Sequence, residues 1–287
     1  MKGYRQLEKP VQDNIRIGFI TTMYLPNIGG AEIALRCLVD ELQKREVSLI
    51  LIVPFRNWLN LKKSESTGTN PRVFPIFPGY QILVRVVPIL AYVFLSAQLY
   101  LFSFLFKLTC WHAVGAFPVG SMVARWGRGK NAGVIVRAPG EDIQIDHEVS
   151  YGIRRNPRID RYVRKYLPLA DVLVAHSGSI EREYLALNIP VQKIVSIPNG
   201  VQLEKFMHQE RPVREVERAV RSEREPFRFL FVGRNHPKKG LEVLIKAVAI
   251  LKAEVPDLFV VDLIGRDGDV DGERNDMKGR GTRRLAS

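Results

Sequence analysis

Phe227-Arg228-Phe229-Leu230-Phe231-Val232-Gly233-Arg234-Asn235-His236-Pro237-Lys238-Lys239-Gly240 reads as an apolar strand running into a glycine-led basic turn. Leu241, Leu244, Ile245 and Val248 follow at helical spacing, so the turn joins a strand to a helix. Such a turn takes anions. Gly233 lets the backbone approach a ligand, the first amides of the helix point outward, and Arg234 and Lys239 add full charges. A diphosphate has the right size and charge, although a solvated basic loop accounts for the same residues. No Gly-Lys-Ser/Thr closes the turn, which excludes a Walker A loop.

The segments before the turn alternate in the same manner. Residues 15–20 read as a strand, and Ala31 to Arg45 as an amphipathic helix with Leu35, Leu38 and Leu42 on one face. Residues 47–53 are so uniformly apolar that both faces of that strand must be covered. Further strands are expected at 73–77, 108–113, 134–138, 172–175 and 194–197. This alternation specifies an α/β fold with a doubly wound parallel sheet. A polar extension at 1–14, a Rossmann-like domain at 15–209, a charged connector at 210–226 and the start of a second Rossmann-like domain at 227–268 are expected. Residues 269–287 show almost no apolar periodicity and read as a disordered tail. One helix and two strands cannot cover a sheet on both faces, so the chain reads as lacking most of its second domain, and its own transfer activity is expected to be impaired or lost on that account.

Val191-Gln192-Lys193-Ile194-Val195-Ser196-Ile197-Pro198-Asn199-Gly200-Val201, with Leu203-Glu204-Lys205-Phe206 behind it, resembles the KI-x-x-IPNGVD-x-x-x-F run that closes the first domain of family 4 glycosyltransferases. The basic turn resembles that family's VGR-x-x-x-x-KG run, which opens the second domain. Both stand in the family's order, and the likeness extends from about Ile15 to about Gly268. It implies a GT-B fold. It also implies transfer of a sugar from a UDP- or GDP-linked donor with retention at the anomeric carbon, and that Arg234 and Lys239 hold the donor diphosphate. The nucleotide sugar is then a co-substrate, and no cofactor or metal is implied.

Three further segments extend the resemblance. Gly29-Gly30-Ala31-Glu32, at the start of the first helix, is similar to the family's GGAE element, which puts the Gly29 and Gly30 amides toward the donor and Glu32 in the cleft. A plain tight turn is the alternative. The absence of G-x-G-x-x-G spacing leaves a dinucleotide dehydrogenase without support. Val134-Ile135-Val136-Arg137-Ala138-Pro139-Gly140-Glu141-Asp142 resembles the strand ending in HG-x-D, at the edge where open α/β sheets bind ligands. Gly140 and Asp142 match that motif and join the cleft set. Pro139 stands where many members have a histidine, so no catalytic residue is assigned. His112 resembles the end of the family's DVIH run and is either a packed histidine or a ligand contact, and Asn199 and Gly200 complete the acceptor or cleft-lining set. The family's Glu-x7-Glu pair has no counterpart beyond the basic turn, because Glu215/Glu223 and Glu217/Glu225 precede it and read as solvated helix charges.

With 287 residues, 46% of them hydrophobic, the chain is globular, and Cys37 and Cys110 are too few for a disulfide framework. The formal charge of +13 calls for an anionic partner. No zinc-finger spacing, RNP-type aromatic run or basic heptad array points to nucleic acid. Residues 1–14 contain no apolar h-region, which with the two cysteines suggests the cytoplasm. Asp267-Gly268-Asp269-Val270-Asp271-Gly272 begins like a calcium loop, but its twelfth position is Lys278.

From Val86 to Phe106 no residue is charged, and Arg85 and Lys107 flank a run about long enough to cross a bilayer. Pro88, Ser96, Gln98 and Ser103 interrupt it, and strands of one sheet lie on both sides. A buried or interface-lying helix is therefore expected. Its aromatic residues exceed what one core face needs, which favours lipid contact. The partners implied are a nucleotide-sugar donor, a glycan or lipid-linked acceptor, and peripheral contact with the inner face of the cytoplasmic membrane. A reading of another class is a folded fragment that meets membrane or polysaccharide and transfers nothing.

Overall fold

The computed structural model describes residues 15–25, 29–63, 72–201, 203, 226–233, 235–254, 259–265 and 281–285. The chain divides into two units, Met1–Leu203 and Glu204–Ser287. In the first, seven strands form one parallel sheet in the order β3-β2-β1-β4-β5-β6-β7. They are β1 (Arg16–Thr21), β2 (Ser48–Val53), β3 (Arg72–Pro75), β4 (Cys110–Val114), β5 (Gly133–Arg137), β6 (Val172–Ala175) and β7 (Ile194–Ser196). All seven sequence-predicted strands occur. The chain reverses its direction of travel across the sheet between β1 and β4, which are hydrogen-bonded neighbours. Such a switch point leaves a crevice at the carboxyl ends of the strands.

The parallel sheet is buried on both faces because its strands are apolar at successive positions. Phe19 and Ile20 point to opposite sides and both are fully buried. Phe19, Leu51, Val53 and Val114 pack against α1 (Gly30–Lys44) through Leu35 and Val39, and against Trp58 and Leu61 of α2 (Phe55–Lys63). The larger cluster on the other side takes residues from α3 (Tyr80–Val86), α4 (Pro88–Phe106), α5 (Ser121–Gly127), α6 (Pro157–Tyr166) and α7 (Gly178–Ala186). In β1, Gly18 is required by close packing, since a Cβ there would lie 2.7 Å from the Trp111 ring and 2.8 Å from Leu108.

The uncharged run forms α4 together with the end of α3. Pro88 has no N–H to continue α3 and disfavours a helical residue before it, so Val87 adopts φ −135°, ψ 77° and α4 starts afresh with Pro88 in its first turn. Ala91, Leu95 and Leu99, four residues apart, are fully buried against the sheet. Trp111 Nε1 donates to Ser103 Oγ at 2.9 Å, and Gln98 Nε2 donates to the Pro75 carbonyl at 2.7 Å, tying α4 to β4 and β3. Lys107, left-handed at φ 50°, ends the helix.

In the second unit, β8 (Phe227–Val232) pairs in parallel with β9 (Phe259–Gly265), and α8 (Leu241–Glu254) connects them in sequence. Against the expectation of a structureless end, residues 281–285 form β10, antiparallel to β9. An edge strand needs only backbone hydrogen bonds on one side, so it leaves no apolar periodicity to read. Residues 269–280, the Glu-x7-Glu-spaced connector carboxylates and the calcium-like loop lie outside the described residues.

Candidate functional site

A cavity of about 170 Å³ opens at the carboxyl ends of the sheet strands. Gly30, Ala31, Ala34, Leu35 and Leu38 of α1 form one wall, and Val114 ends β4 beside them. Arg137 at the end of β5, Pro139, His176 just beyond β6 and Asn199 beyond β7 complete the lining. The residues that meet here are 169 positions apart at the extremes, and only the parallel register of four strands assembles them.

Arg137 is half-buried and donates through a terminal guanidinium nitrogen to the side-chain carbonyl of Asn199. Burial lowers its pKa from the ordinary value. No carboxylate pairs with it among the described residues. His176 is shifted down by burial and then by the nearby Arg137 charge, with a backbone hydrogen bond at Ala138 opposing. A neutral imidazole beside a guanidinium, at the amino end of a helix, is an arrangement suited to an oxyanion. Neither Arg137 nor His176 was assigned from sequence. Their signal was positional, since each sits at or just past the carboxyl end of a strand.

The structure distributes the sequence-predicted residues unevenly. Gly30 and Asn199 line the cavity. Gly29 is the extended residue before α1, and the Glu32 side chain folds back over it, so that a Cβ on Gly29 would lie 2.5 Å from Glu32 Oε2. Gly200 is exposed beside Asn199, with open space where a Cβ would stand. His112 is buried, its ring stacked on Phe19 at 4.8 Å, and its Nε2 has no partner among the described residues. Burial, and then the Arg137 charge, push its pKa down to about 3. It is a neutral packing residue within β4, outside the cavity lining.

Asp142 is buried and is not among the residues that line the cavity. Its carboxylate accepts from the Ala116 N–H, and from the Gly140 N–H at 3.1 Å, which ties the loop after β5 to the loop after β4. Burial outweighs these bonds and pushes its pKa up to about 6. Gly140 has φ +141°, a conformation that requires glycine, and its carbonyl accepts from Ile143 and Gln144 at 3.0 and 2.8 Å. The HG-x-D match therefore corresponds to a loop brace in this chain.

In the second unit, Pro237–Lys239 form a short 3₁₀ turn before α8, with Gly240 left-handed at φ +70°. The His236 imidazole accepts from the Lys238 N–H at 3.2 Å and caps the turn. Lys239 is exposed and folds over Gly233, where an added Cβ would lie 3.8 Å from its own Cβ. Arg234 lies outside the described residues.

The model of glycosyltransferase family 4 matches residues 28–205, more than half of the chain. No curated protein sequence matches. Among solved structures, Anabaena HepE in complex with UDP and glucose aligns with a TM-score of 0.54 at 16% identity, over 89% of this chain and 62% of that one. Sucrose-phosphate synthase from Thermosynechococcus elongatus gives 0.55 at 14% identity, over 91% of this chain and 64% of that one. A glycosyltransferase from Rickettsia africae gives 0.54 at 14%, over 89% and 69%. The chain thus spans less than two thirds of the length of HepE, and likenesses at these identities speak to the fold. The matched segment contains β2 to β7 of the seven-stranded sheet, with β1 standing before it, and every residue named above as lining the cavity. On that match, the chain belongs to glycosyltransferase family 4.

Proposed function

We propose that the protein transfers a sugar from a nucleotide diphosphate sugar, UDP- or GDP-linked, to a lipid-linked or polysaccharide acceptor with retention of anomeric configuration. The observation that carries this reading is the cavity at the β1/β4 switch point, which combines a helix amino end, an Arg137 with no carboxylate partner among the described residues and a neutral His176 inside the family-matched segment. Such groups hold an oxygen-rich, anionic substrate. Lys239 and Arg234 in the basic turn neutralise negative charge on the departing diphosphate, so protein cations take the part that a metal ion plays elsewhere. HepE, solved with UDP and glucose, shares the fold and supports the choice of donor. On this reading the reaction runs in the cytoplasm and, with a lipid-linked acceptor, at the inner face of the membrane.

Titration calorimetry with UDP and with GDP tests this. One of the two is expected to bind, and sugar-nucleotide turnover with lipid-extract acceptors should release the same nucleotide. Absence of binding by both would overturn the donor assignment. Binding without turnover on any acceptor would favour a fragment that recognises substrate and transfers nothing.

A further inference from the structure

We propose that the outer face of α4, with the end of α3, docks on an anionic lipid bilayer and lies flat in its interface. The inference is independent of the transferase reading, because no sugar donor enters its test. Of the two long faces of α4, the inner one is already covered, with Ala91, Leu95 and Leu99 at 0% exposure. The outer one is equally apolar and uncovered. Ile89, Val93, Phe94, Leu101, Phe104 and Leu105 are 51–73% exposed and recur along the whole helix, about 28 Å in length. At roughly 100 Å² for each half-exposed side chain of this size, these and their neighbours exceed the roughly 300–600 Å² patch of an ordinary monomer. A helix apolar all round is either enclosed or in contact with lipid.

The charge around this face selects the occupant. From Ser66 to Gly140, 75 residues, there is no Asp or Glu, while seven Arg or Lys occur. Arg85 and Lys107 are exposed at the two ends of the apolar run. Lys107, Arg128 and Lys130 stand at one end of the sheet, because α4 and α5 finish there and feed the amino ends of the adjacent parallel strands β4 and β5. Cations ringing an apolar strip match an anionic headgroup layer with acyl chains beneath. A second copy would set the same acid-free basic rim against itself.

The attachment of α4 decides between lying and spanning. Residues on both sides of it belong to one sheet, and Trp111–Ser103 and Gln98–Pro75 hydrogen bonds fasten it there. Crossing a bilayer would strip Leu95 and Leu99 from the core, so the helix contributes its outer half alone.

The test is co-sedimentation of the full chain with vesicles of phosphatidylcholine alone and of phosphatidylcholine mixed with phosphatidylglycerol, at low and high salt. Binding is expected only with the anionic vesicles, and it should weaken as salt shortens the Debye length from about 10 Å at 0.1 M. Leu101→Glu together with Phe104→Glu, both outward-facing, should lower partitioning at least tenfold while the circular dichroism spectrum is unchanged. Lys107→Gln should lower it about fivefold, as loss of one interfacial cation predicts. Failure to bind, equal binding to the neutral vesicles, or indifference to Leu101 and Phe104 overturns the proposal. Retention that only detergent reverses would show a spanning helix instead. A concentration-dependent dimer that the Leu101/Phe104 double variant abolishes, without lipid binding, would assign the face to a second copy.

Discussion

Arg137 at the end of β5 donates to the side-chain carbonyl of Asn199 beyond β7, so one hydrogen bond crosses over β6 at the mouth of the cavity. Asn199→Ala leaves a half-buried guanidinium without its acceptor and is expected to cost roughly 1 kcal/mol, after allowance for partial exposure. That corresponds to a melting temperature lower by about 2–4 °C for a unit of this size. Asn199→Asp supplies a carboxylate and should recover or exceed wild-type stability. Melting curves that rank Asn199→Asp below Asn199→Ala would show that the bond contributes nothing.

Asp142 is protonated more readily in the folded chain than in the unfolded one, since its pKa rises from 3.8 to about 6. A raised carboxyl pKa means the folded state gains by holding a proton. The contribution is full below pH 3.8 and is lost as pH rises toward 6, by roughly 3 kcal/mol at most. Urea denaturation of wild type and Asp142→Asn at pH 4 and pH 7 isolates it, because other titrating groups cancel in the difference. The stability of wild type relative to the variant should fall between those pH values. A pH-independent difference would sink this assignment.

His112 has the opposite sign. Its pKa is pushed down to about 3, so the unfolded chain binds a proton between that pH and 6.5 while the folded chain does not. Stability tied to His112 is present above pH 6.5 and drains away as pH falls. His112→Phe keeps a ring against Phe19 and removes the unpartnered Nε2. The variant should therefore gain on wild type as pH is lowered from 7 to 5, measured by thermal melts at each pH.

The two faces of α4 should respond differently to truncation. Leu95→Ala or Leu99→Ala opens a cavity under the helix and is expected to cost about 2–5 kcal/mol. Phe104→Ser removes a side chain that is 73% exposed and should change stability by less than about 0.5 kcal/mol. Similar losses at both positions, by denaturant titration, would mean the outer face is covered in solution.

Lys239→Ala should weaken UDP or GDP binding by at least about tenfold, the scale of a charge-assisted hydrogen bond of roughly 1.5–3 kcal/mol. Lys238→Ala should have a smaller effect, because only Lys239 aligns with the family's lysine. Calorimetry on both variants decides it, and equal small effects would remove the turn from the donor site.

The amino-acid sequence by itself determined the parallel sheet, because strands such as β2 are apolar at successive positions from Leu49 to Val53 and only a sheet covered on both faces accepts that pattern. It also determined where α1 begins, through the Gly-Gly pair, and where the basic turn stands before α8. Tertiary structure decided what those strand ends hold. Arg137 and His176 became neighbours only through the order β4-β5-β6-β7, a long-range pairing that no local pattern encodes. Burial turned His112 into packing and Asp142 into a loop brace, because solvent exclusion depends on what the rest of the chain places above a residue. The same holds for α4: its lack of charge is written in the sequence, but the sheet takes three of its residues and leaves Phe94 and Phe104 outside.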